Sequence, residues 1–220
     1  MIEILFDLSI YSRLYEGLKV TLFISFVSIF FSIIGGLVLG VFMSLGNKII
    51  FYILKIILEI VRFMPIIVWL FLVYFGFAKW LNLQINAVSA SIIVFIIWGV
   101  FEMMDLVRGA ITSIPKHQFE SSVALALSKY QTYRFIILPL ATRRLIPSVI
   151  NLLSRMIKTT SVAYLIGVVD ILAIGNQLKE VTLFISNIAP LYIYTIIFFI
   201  YFIICYPLSK ISKILEKRWS

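Results

Sequence analysis

Residues 20–47 read VTLFISFVSIFFSIIGGLVLGVFMSLGN, an uncharged run of 28 residues between Lys19 and Lys48. A bilayer core about 30 Å thick requires about 20 such residues of helix. Two further uncharged runs, at 80–101 and 181–209, contain 22 and 29 residues. Long apolar runs without alternating polarity are typical of membrane-spanning helices rather than barrel strands.

The composition of the whole chain agrees with these runs. Of 220 residues, 62% are apolar and 13% are charged, whereas a soluble domain is near half apolar and a quarter charged. We therefore interpret the net charge of +9 as a topology signal and not as a nucleic-acid-binding surface. Cys205 is the only cysteine, which excludes a disulfide framework and a cysteine metal cluster. We expect a single membrane domain over residues 1–220.

Five membrane spans are predicted, so the expected fold is all-α and polytopic. Three spans are plain from hydropathy, and two are partly masked by charges. The second contains Lys55, Glu59 and Arg62, and the fourth contains Arg155 and Lys158. The predicted spans are residues 20–45, 50–78, 82–107, 145–167 and 188–209.

The orientation follows from the distribution of basic residues. An odd number of spans places the two termini on opposite sides of the membrane, and the side richer in Lys and Arg is cytoplasmic. The segments that include the 109–144 loop and the C-terminal tail hold ten Lys and Arg residues, against four on the other side. We therefore predict an external N-terminus, a cytoplasmic C-terminus and a cytoplasmic 109–144 loop.

Small residues recur at four-residue intervals in the first span, at Ser32, Gly36 and Gly40. Such a stripe lets another helix approach closely. We expect simple packing there, with a moving interface as the alternative.

Charged side chains also share helical faces inside the spans. Glu59 and Arg62 lie near one another in the second span, and Asp105 and Arg108 share a face with Glu102 in the third. Charges at membrane depth usually face a bundle interior, a cavity or each other. We expect structural ion pairs made by Glu59, Arg62, Asp105 and Arg108, with a gating role as the alternative.

The fourth span concentrates polar residues at Arg155, Lys158, Thr159, Thr160 and Ser161. Simple anchoring does not require this many. Cations beside hydroxyls would suit a solute that carries a carboxylate, so we predict a polar substrate pathway. The alternative is that both cations extend to the interface or pair with acids of other spans.

An amphipathic helix is predicted within the cytoplasmic loop. Phe119, Val123, Ala126, Leu127 and Tyr130 recur at helical spacing. The apolar stripe requires cover, from the protein's own inner surface, from the membrane face or from a partner's groove. The pattern alone leaves these three open.

The residues give little support to an enzyme. His117 is the only histidine, and no nucleophile or metal-ligand partner lies near it in sequence. The spacing of Gly40, Gly46 and Lys48 does not match a nucleotide phosphate loop. We expect no catalytic residues, no metal and no cofactor, and any ATP site must be on another chain.

The loop nevertheless carries a recognisable signature. Glu120-Ser121-Ser122, then Ala126, then Ile136-x-Leu138-Pro139 resembles the Glu-Ala-Ala-x3-Gly-x9-Ile-x-Leu-Pro motif of bacterial ATP-binding-cassette (ABC) importer permeases. Flanking elements are similar to the polar amino-acid branch, which includes histidine, arginine, glutamine and glutamate permeases. These elements are Arg108-Gly109-Ala110-Ile111-x-Ser113-Ile114-Pro115-Lys116, Gln131-Thr132-Tyr133-Arg134, Arg143-Arg144, Arg62-x-x-Pro65, Leu70-Phe71-x-x-Tyr74-Phe75-Gly76, Lys158-x-Thr160-Ser161 and Ile166-Gly167.

The resemblance implies a five-span permease of the MetI-like fold in the bacterial plasma (inner) membrane. It implies a second permease subunit, identical or related, a cytoplasmic ABC ATPase dimer and an extracytoplasmic solute-binding protein. The 119–128 segment becomes a coupling helix that transmits ATPase movement in a rigid-body, alternating-access switch. The implied coupling residues are Phe119, Glu120, Ser121, Ser122, Val123, Ala126 and Leu127.

Two departures from the family pattern affect which family properties can be expected of this chain. Ala126 replaces the motif's glycine, and Ala cannot adopt a glycine-only backbone angle as cheaply. Thr159 occupies a position often held by Asp, while Lys158 is retained, which favours an acidic or neutral amino acid over a cationic one. Neither the particular amino acid nor the choice between homodimer and heterodimer follows from the sequence. A five-span membrane-insertion chaperone without an ATPase partner is the alternative function.

Overall fold

The computed structural model describes residues 8–44, 47–80, 84–183 and 188–219, and these residues form helices and short connections without a strand. The predicted all-α class is therefore confirmed. The helices are α1 (Leu8–Ser44), α2 (Lys48–Phe63), α3 (Ile66–Trp80), α4 (Ala87–Thr112), α5 (Lys116–Ala124), α6 (Lys129–Thr132), a π-helix (Tyr133–Ile137), α7 (Leu138–Thr159), a 3-10 helix (Thr160–Ile166), α8 (Ile171–Leu183) and α9 (Ala189–Trp219).

Four helical stretches are long and apolar enough to cross a membrane, and the pair α2 and α3 makes a fifth when it is counted as one interrupted span. The span predicted over residues 50–78 coincides with this pair, and its helix breaks between Phe63 and Ile66. Pro65 lacks a backbone N–H and disfavours helical geometry at the residue before it.

The fourth span is longer than predicted. Helical structure runs from Lys129 to Ile166, so part of the 109–144 segment expected to be a loop belongs to this stretch. Its backbone widens into a π-helix at Tyr133–Ile137, which ends two residues before Pro139. The proline ring cannot fit against the carbonyl group four residues earlier in a regular α-helix, and a π-turn accommodates this conflict.

Helix α8 was not predicted. The 3-10 helix before it ends at Gly167, which has a φ of 95°, a conformation that glycine adopts without steric cost. Asp170 then precedes the first residue of α8. This 13-residue helix is shorter than a membrane crossing requires.

By internal contacts the chain divides into two compact units. The first comprises Met1–Ile29, Met64–Ile96 and Leu153–Pro207. Its apolar cluster joins the start of α1 to α8 and α9, through residues that include Leu14, Ile171 and Ile193. At Gly17, a Cβ atom would lie 2.8 Å from the Ile171 Cα, so glycine is required for α1 to approach α8 this closely.

The second unit comprises Phe30–Phe63, Ile97–Leu152 and Leu208–Ser220. Within it, the predicted small-residue stripe of α1 packs on α4. A Cβ atom at Gly36 would lie 2.4 Å from the Met103 Cβ, and one at Gly40 would lie 2.5 Å from the Val107 Cβ. The stripe thus serves close helix packing, the expected role.

Candidate functional site

The residues predicted to contact an ATPase lie on α5 and in the turn that follows. The helix ends at Ala124, because Ala126 has a φ of 52°. The Leu127 N–H donates to the Ser122 carbonyl and the Ala126 N–H to the Val123 carbonyl, the pattern of a left-handed helix cap. The prediction of a helix that continues past residue 124 to Tyr130 was therefore wrong.

The predicted apolar stripe of this segment divides between two faces. Phe119 points inward, packs against the cluster of Ile114 and Ile137, and meets the Tyr133 ring edge-on at 6.3 Å between centroids. Val123 is 74% exposed and Leu125 is 70% exposed. One face of α5 therefore anchors the helix, and the other presents uncovered apolar side chains.

Polar residues of the signature also divide between the two faces. Glu120 and Ser121 are exposed, whereas Ser122 is buried and its hydroxyl donates to the Phe119 carbonyl. Ala126 is exposed and Leu127 is half-buried. The outward face thus combines one carboxylate with apolar side chains, a combination that can dock on a protein surface.

The segments beside α5 are held by specific hydrogen bonds. The Arg144 guanidinium donates to the backbone carbonyl of Ser113 and, at 2.9 Å, to the Ser113 hydroxyl. After α5, Ser128 and Gln131 form a reciprocal capping box that starts α6. These contacts give α5 a defined position within its unit.

Charged side chains of α2 and α4 form a connected cluster. The Arg62 Nε donates to the Glu102 carboxylate at 2.7 Å, and its Nη2 donates to Asp105 at 3.0 Å. Arg108 donates to the other oxygen of Asp105 at 2.6 Å. Glu102 is buried, so it depends on Arg62 for charge compensation. The predicted fourth member, Glu59, is exposed and makes no ion pair among the described residues.

Two of the five predicted pathway residues line a cavity in the first unit. Lys158 and Ser161 border a space of about 270 Å³ whose other walls include Tyr194, Phe198 and Tyr201. Lys158 is exposed, and within the described part of the chain its ammonium group makes no ion pair. The cavity therefore offers one cation, the hydroxyl groups of Ser161 and of two tyrosines, and aromatic surface.

The other three predicted pathway residues, Arg155, Thr159 and Thr160, do not border this cavity. The Thr159 and Thr160 hydroxyls donate to the carbonyls of Arg155 and Ile157 at 2.8 and 2.9 Å, which are ordinary bonds to the preceding helical turn. Thr160 is buried, and its hydroxyl lies 3.4 Å from that of Ser25. Arg155 is exposed and does not border the cavity.

Sequence reasoning missed several polar groups near this cavity. The Tyr194 hydroxyl donates to the Asn176 carbonyl oxygen at 2.6 Å and ties α9 to α8. Asp170 is fully buried, and its Oδ1 accepts from the Ala173 N–H at 2.8 Å. Its Oδ2 has no hydrogen-bond partner among the described residues, and burial raises the pKa of Asp170 to about 7. An Asp just before an apolar helix was the available signal, since Asp is a favoured N-cap.

The geometry offers no metal centre within residues 8–44, 47–80, 84–183 and 188–219. No three His, Cys, Asp or Glu side chains there come together closely enough to hold an ion.

Residues 36–220 match the family described as binding-protein-dependent transport system inner membrane component. The chain is 32% identical over 206 residues to the glutamine transport system permease protein GlnP of Escherichia coli (strain K12), across 93% of this chain and 92% of that protein. It is 34% identical over 214 residues to the probable amino-acid ABC transporter permease protein YckA of Bacillus subtilis (strain 168), across 93% and 88%.

The fold is also similar to solved structures. A chain in the crystal structure of an amino acid ABC transporter with histidines has a TM-score of 0.84 and 24% identity over 94% of both chains. A chain of the MetNI methionine ABC transporter in an inward-facing conformation has a TM-score of 0.75 and 19% identity, over 97% of this chain and 99% of that one. At these identities the likeness concerns the fold.

Proposed function

The chain belongs to the family of binding-protein-dependent transport system inner membrane components, and from that premise we propose how this amino-acid ABC importer permease couples ATPase movement to solute passage. It is an inner membrane protein and a transport component, not an enzyme. As an ABC importer permease it works with an ATPase and a solute-binding protein, so ATP hydrolysis takes place on another chain.

The proposed coupling element is α5. Its exposed Val123 and the neighbouring Leu125 are large apolar groups in a segment that also carries Glu120. An apolar helix face with one charge fits a groove on a partner protein. The observation that carries the proposal is that the opposite face is anchored by Phe119, so a force applied to α5 would be transmitted into the unit that holds it.

The proposed solute route includes the cavity beside Lys158. The ammonium group would pair with a substrate carboxylate, and the Ser161 hydroxyl, which donates to the Lys158 carbonyl at 2.7 Å, retains lone pairs for a substrate amino group. Thr159 supplies no carboxylate for a cationic side chain. We therefore propose an acidic or neutral amino acid, in line with the glutamine permease among the relatives.

We further propose that the permease works as a dimer, with itself or with a related chain, and alternates between inward- and outward-facing states. The Lys and Arg bias supports an external N-terminus and a cytoplasmic position for α5. This orientation puts α5 on the side where ATP is available.

Reconstitution tests the proposal. Proteoliposomes that contain the permease, its ATPase and its binding protein should take up an amino acid only when ATP is supplied. Glu120→Lys should abolish uptake and lower ATPase co-purification, because it reverses the charge on the docking face. The control Glu216→Lys makes the same charge change at an exposed site on α9 and should leave uptake intact.

Two outcomes would count against the proposal in different ways. Normal uptake by the Glu120→Lys protein would remove α5 from the coupling path. Absence of ATP-dependent uptake by the wild-type assembly, with an ATPase bound, would contradict the transport function itself.

A further inference from the structure

A groove of about 310 Å³ lies within the second unit, between the end of α1, the end of α4 and the segment from Tyr130 to Leu145. Its walls are built largely of aliphatic side chains such as Leu37 and Val41. The aliphatic hydroxyl groups on the wall, those of Ser44 and Thr142, donate to carbonyls of their own helices at 2.8 Å. Between these two helices the wall of the groove therefore presents mainly hydrocarbon.

The position of the groove relative to the spans indicates what surrounds it. Both α1, which ends at Ser44, and α4, which ends at Thr112, are candidate membrane spans. The groove begins at these ends and reaches back to Leu37, a distance of about 10 Å at 1.5 Å per residue. With the membrane boundary at residue 45, where the predicted first span ends, the groove would extend from the headgroup region into the hydrocarbon, where lipid rather than water is the solvent.

The groove is bordered by one positively charged side chain, that of Arg134. Arg134 borders it and is exposed, and its guanidinium makes no ion pair among the described residues. The 109–144 segment contains five Lys and Arg residues and one acid, Glu120. A guanidinium pairs with a phosphate through two parallel hydrogen bonds, so the local charge is complementary to an anion.

Two tyrosines complete the rim. Tyr130 and Tyr133 border the groove and are exposed, and aromatic rings of this kind are enriched at the level of lipid headgroups. Tyr133 is the first residue of the π-helix and also touches the Phe119 ring of α5. A ligand in the groove would therefore contact a side chain that supports α5.

We propose that this groove binds an anionic phospholipid, with one acyl chain along the aliphatic wall and the phosphate group paired with Arg134. A neutral phospholipid shares the acyl chain but lacks the net negative charge that the basic segment attracts. Any effect of the bound lipid on α5, through Tyr133, rests on the proposed coupling function. The binding of the lipid itself does not.

Binding can be measured without transport. Leu138 borders the groove and is exposed, so Leu138→Trp places a fluorophore at the site in the full-length protein, assembled with its partners in nanodiscs. Brominated phosphatidylglycerol should quench this added fluorescence at roughly fivefold lower mole fraction than brominated phosphatidylcholine. Spectra of the assembly without the added Trp supply the background.

Two variants locate the charge that is responsible. Arg134→Gln should reduce the preference for phosphatidylglycerol to near one. Arg143→Gln removes the same charge from an exposed residue of the same segment that does not border the groove, and it should retain most of the preference. Native mass spectrometry of the proteins without the added Trp should show one retained phosphatidylglycerol fewer in Arg134→Gln only.

Three results would overturn the proposal. Equal quenching by both lipids would show that charge does not select the occupant. An equal loss in both Arg variants would indicate general surface attraction. No quenching by either lipid would show that a protein surface, from a second copy or the ATPase, covers the groove. None of these results depends on amino-acid uptake.

Discussion

Replacement of Asp170 by Asn should change how the stability of this protein depends on pH. Asp170 is fully buried at the start of α8, where its Oδ1 accepts a hydrogen bond from the Ala173 N–H at 2.8 Å. Asn serves as an N-cap about as well as Asp, so Asp170→Asn can keep this hydrogen bond while removing the ionisable group.

The expected magnitude follows from the pKa of Asp170, which burial raises from 3.8 to about 7. A raised pKa means that the folded protein holds the proton more tightly than the unfolded chain. The resulting stabilisation is complete below pH 3.8 and is lost as the pH rises to about 7. A difference of about three pKa units corresponds to about 4 kcal/mol, at 1.36 kcal/mol per unit.

The free energy of unfolding of wild type and Asp170→Asn should be compared at pH 5, 6, 7 and 8 in the same detergent. Relative to wild type, Asp170→Asn should gain about 1.4 kcal/mol per pH unit between pH 5 and 7, then level off. Glu180→Gln, at an exposed position on the same helix, is the matched control and should show little pH-dependent difference.

A second variant separates the hydrogen bond from the charge. Asp170→Ala also removes the buried carboxyl group but loses the cap, which costs about 1 kcal/mol. It should therefore be less stable than Asp170→Asn by a constant amount at every pH. If the difference between Asp170→Asn and wild type does not vary from pH 5 to 7, the carboxyl group does not titrate in this range and the reasoning is refuted.

Three further predictions concern other parts of the chain. Ala126→Gly should raise the free energy of unfolding by about 1 kcal/mol, because glycine adopts the φ of 52° without the penalty that a Cβ brings; a loss of stability in thermal melts would contradict this. Arg62→Met should destabilise by about 2 kcal/mol by leaving Glu102 buried without its charged hydrogen bond, and adding Glu102→Gln should recover part of the loss; equal stability of the single and double variants would argue against the pair. Lys158→Gln should reduce uptake at least tenfold with ATPase binding unchanged, whereas Lys210→Gln, an exposed site on α9, should not; equal uptake by both would exclude Lys158 from the route.

The membrane-spanning character of the chain was predictable because it depends on local composition. In lipid every backbone group must be satisfied within its own segment, so the length of an apolar run is sufficient to identify a helix. Pro65 could have predicted the break between α2 and α3, since proline interrupts helices by a local mechanism. The predicted Ser32, Gly36 and Gly40 stripe similarly marks where α1 approaches α4.

The direction in which side chains point was less predictable. Phe119 and Val123 are one turn apart and were placed on one stripe, yet Phe119 packs inward and Val123 is exposed. The cause is that α5 is only nine residues long and is oriented by its neighbours rather than by its own periodicity. The directions of the Thr159 and Thr160 side chains were likewise not predictable from their spacing. Their hydroxyls donate to carbonyls of the preceding helical turn.

The all-α class, the presence of apolar membrane-spanning helices and, through the Glu120 signature, the family could all be predicted from the amino-acid sequence. Each of these depends on residue type and spacing along the chain. Three features became visible only in the folded protein: Arg62 compensates Glu102 across 40 residues, Asp170 is buried at the start of α8, and Arg134 lies beside an apolar groove. Burial and charge compensation depend on which helices pack together, and long-range packing is not encoded in any single segment.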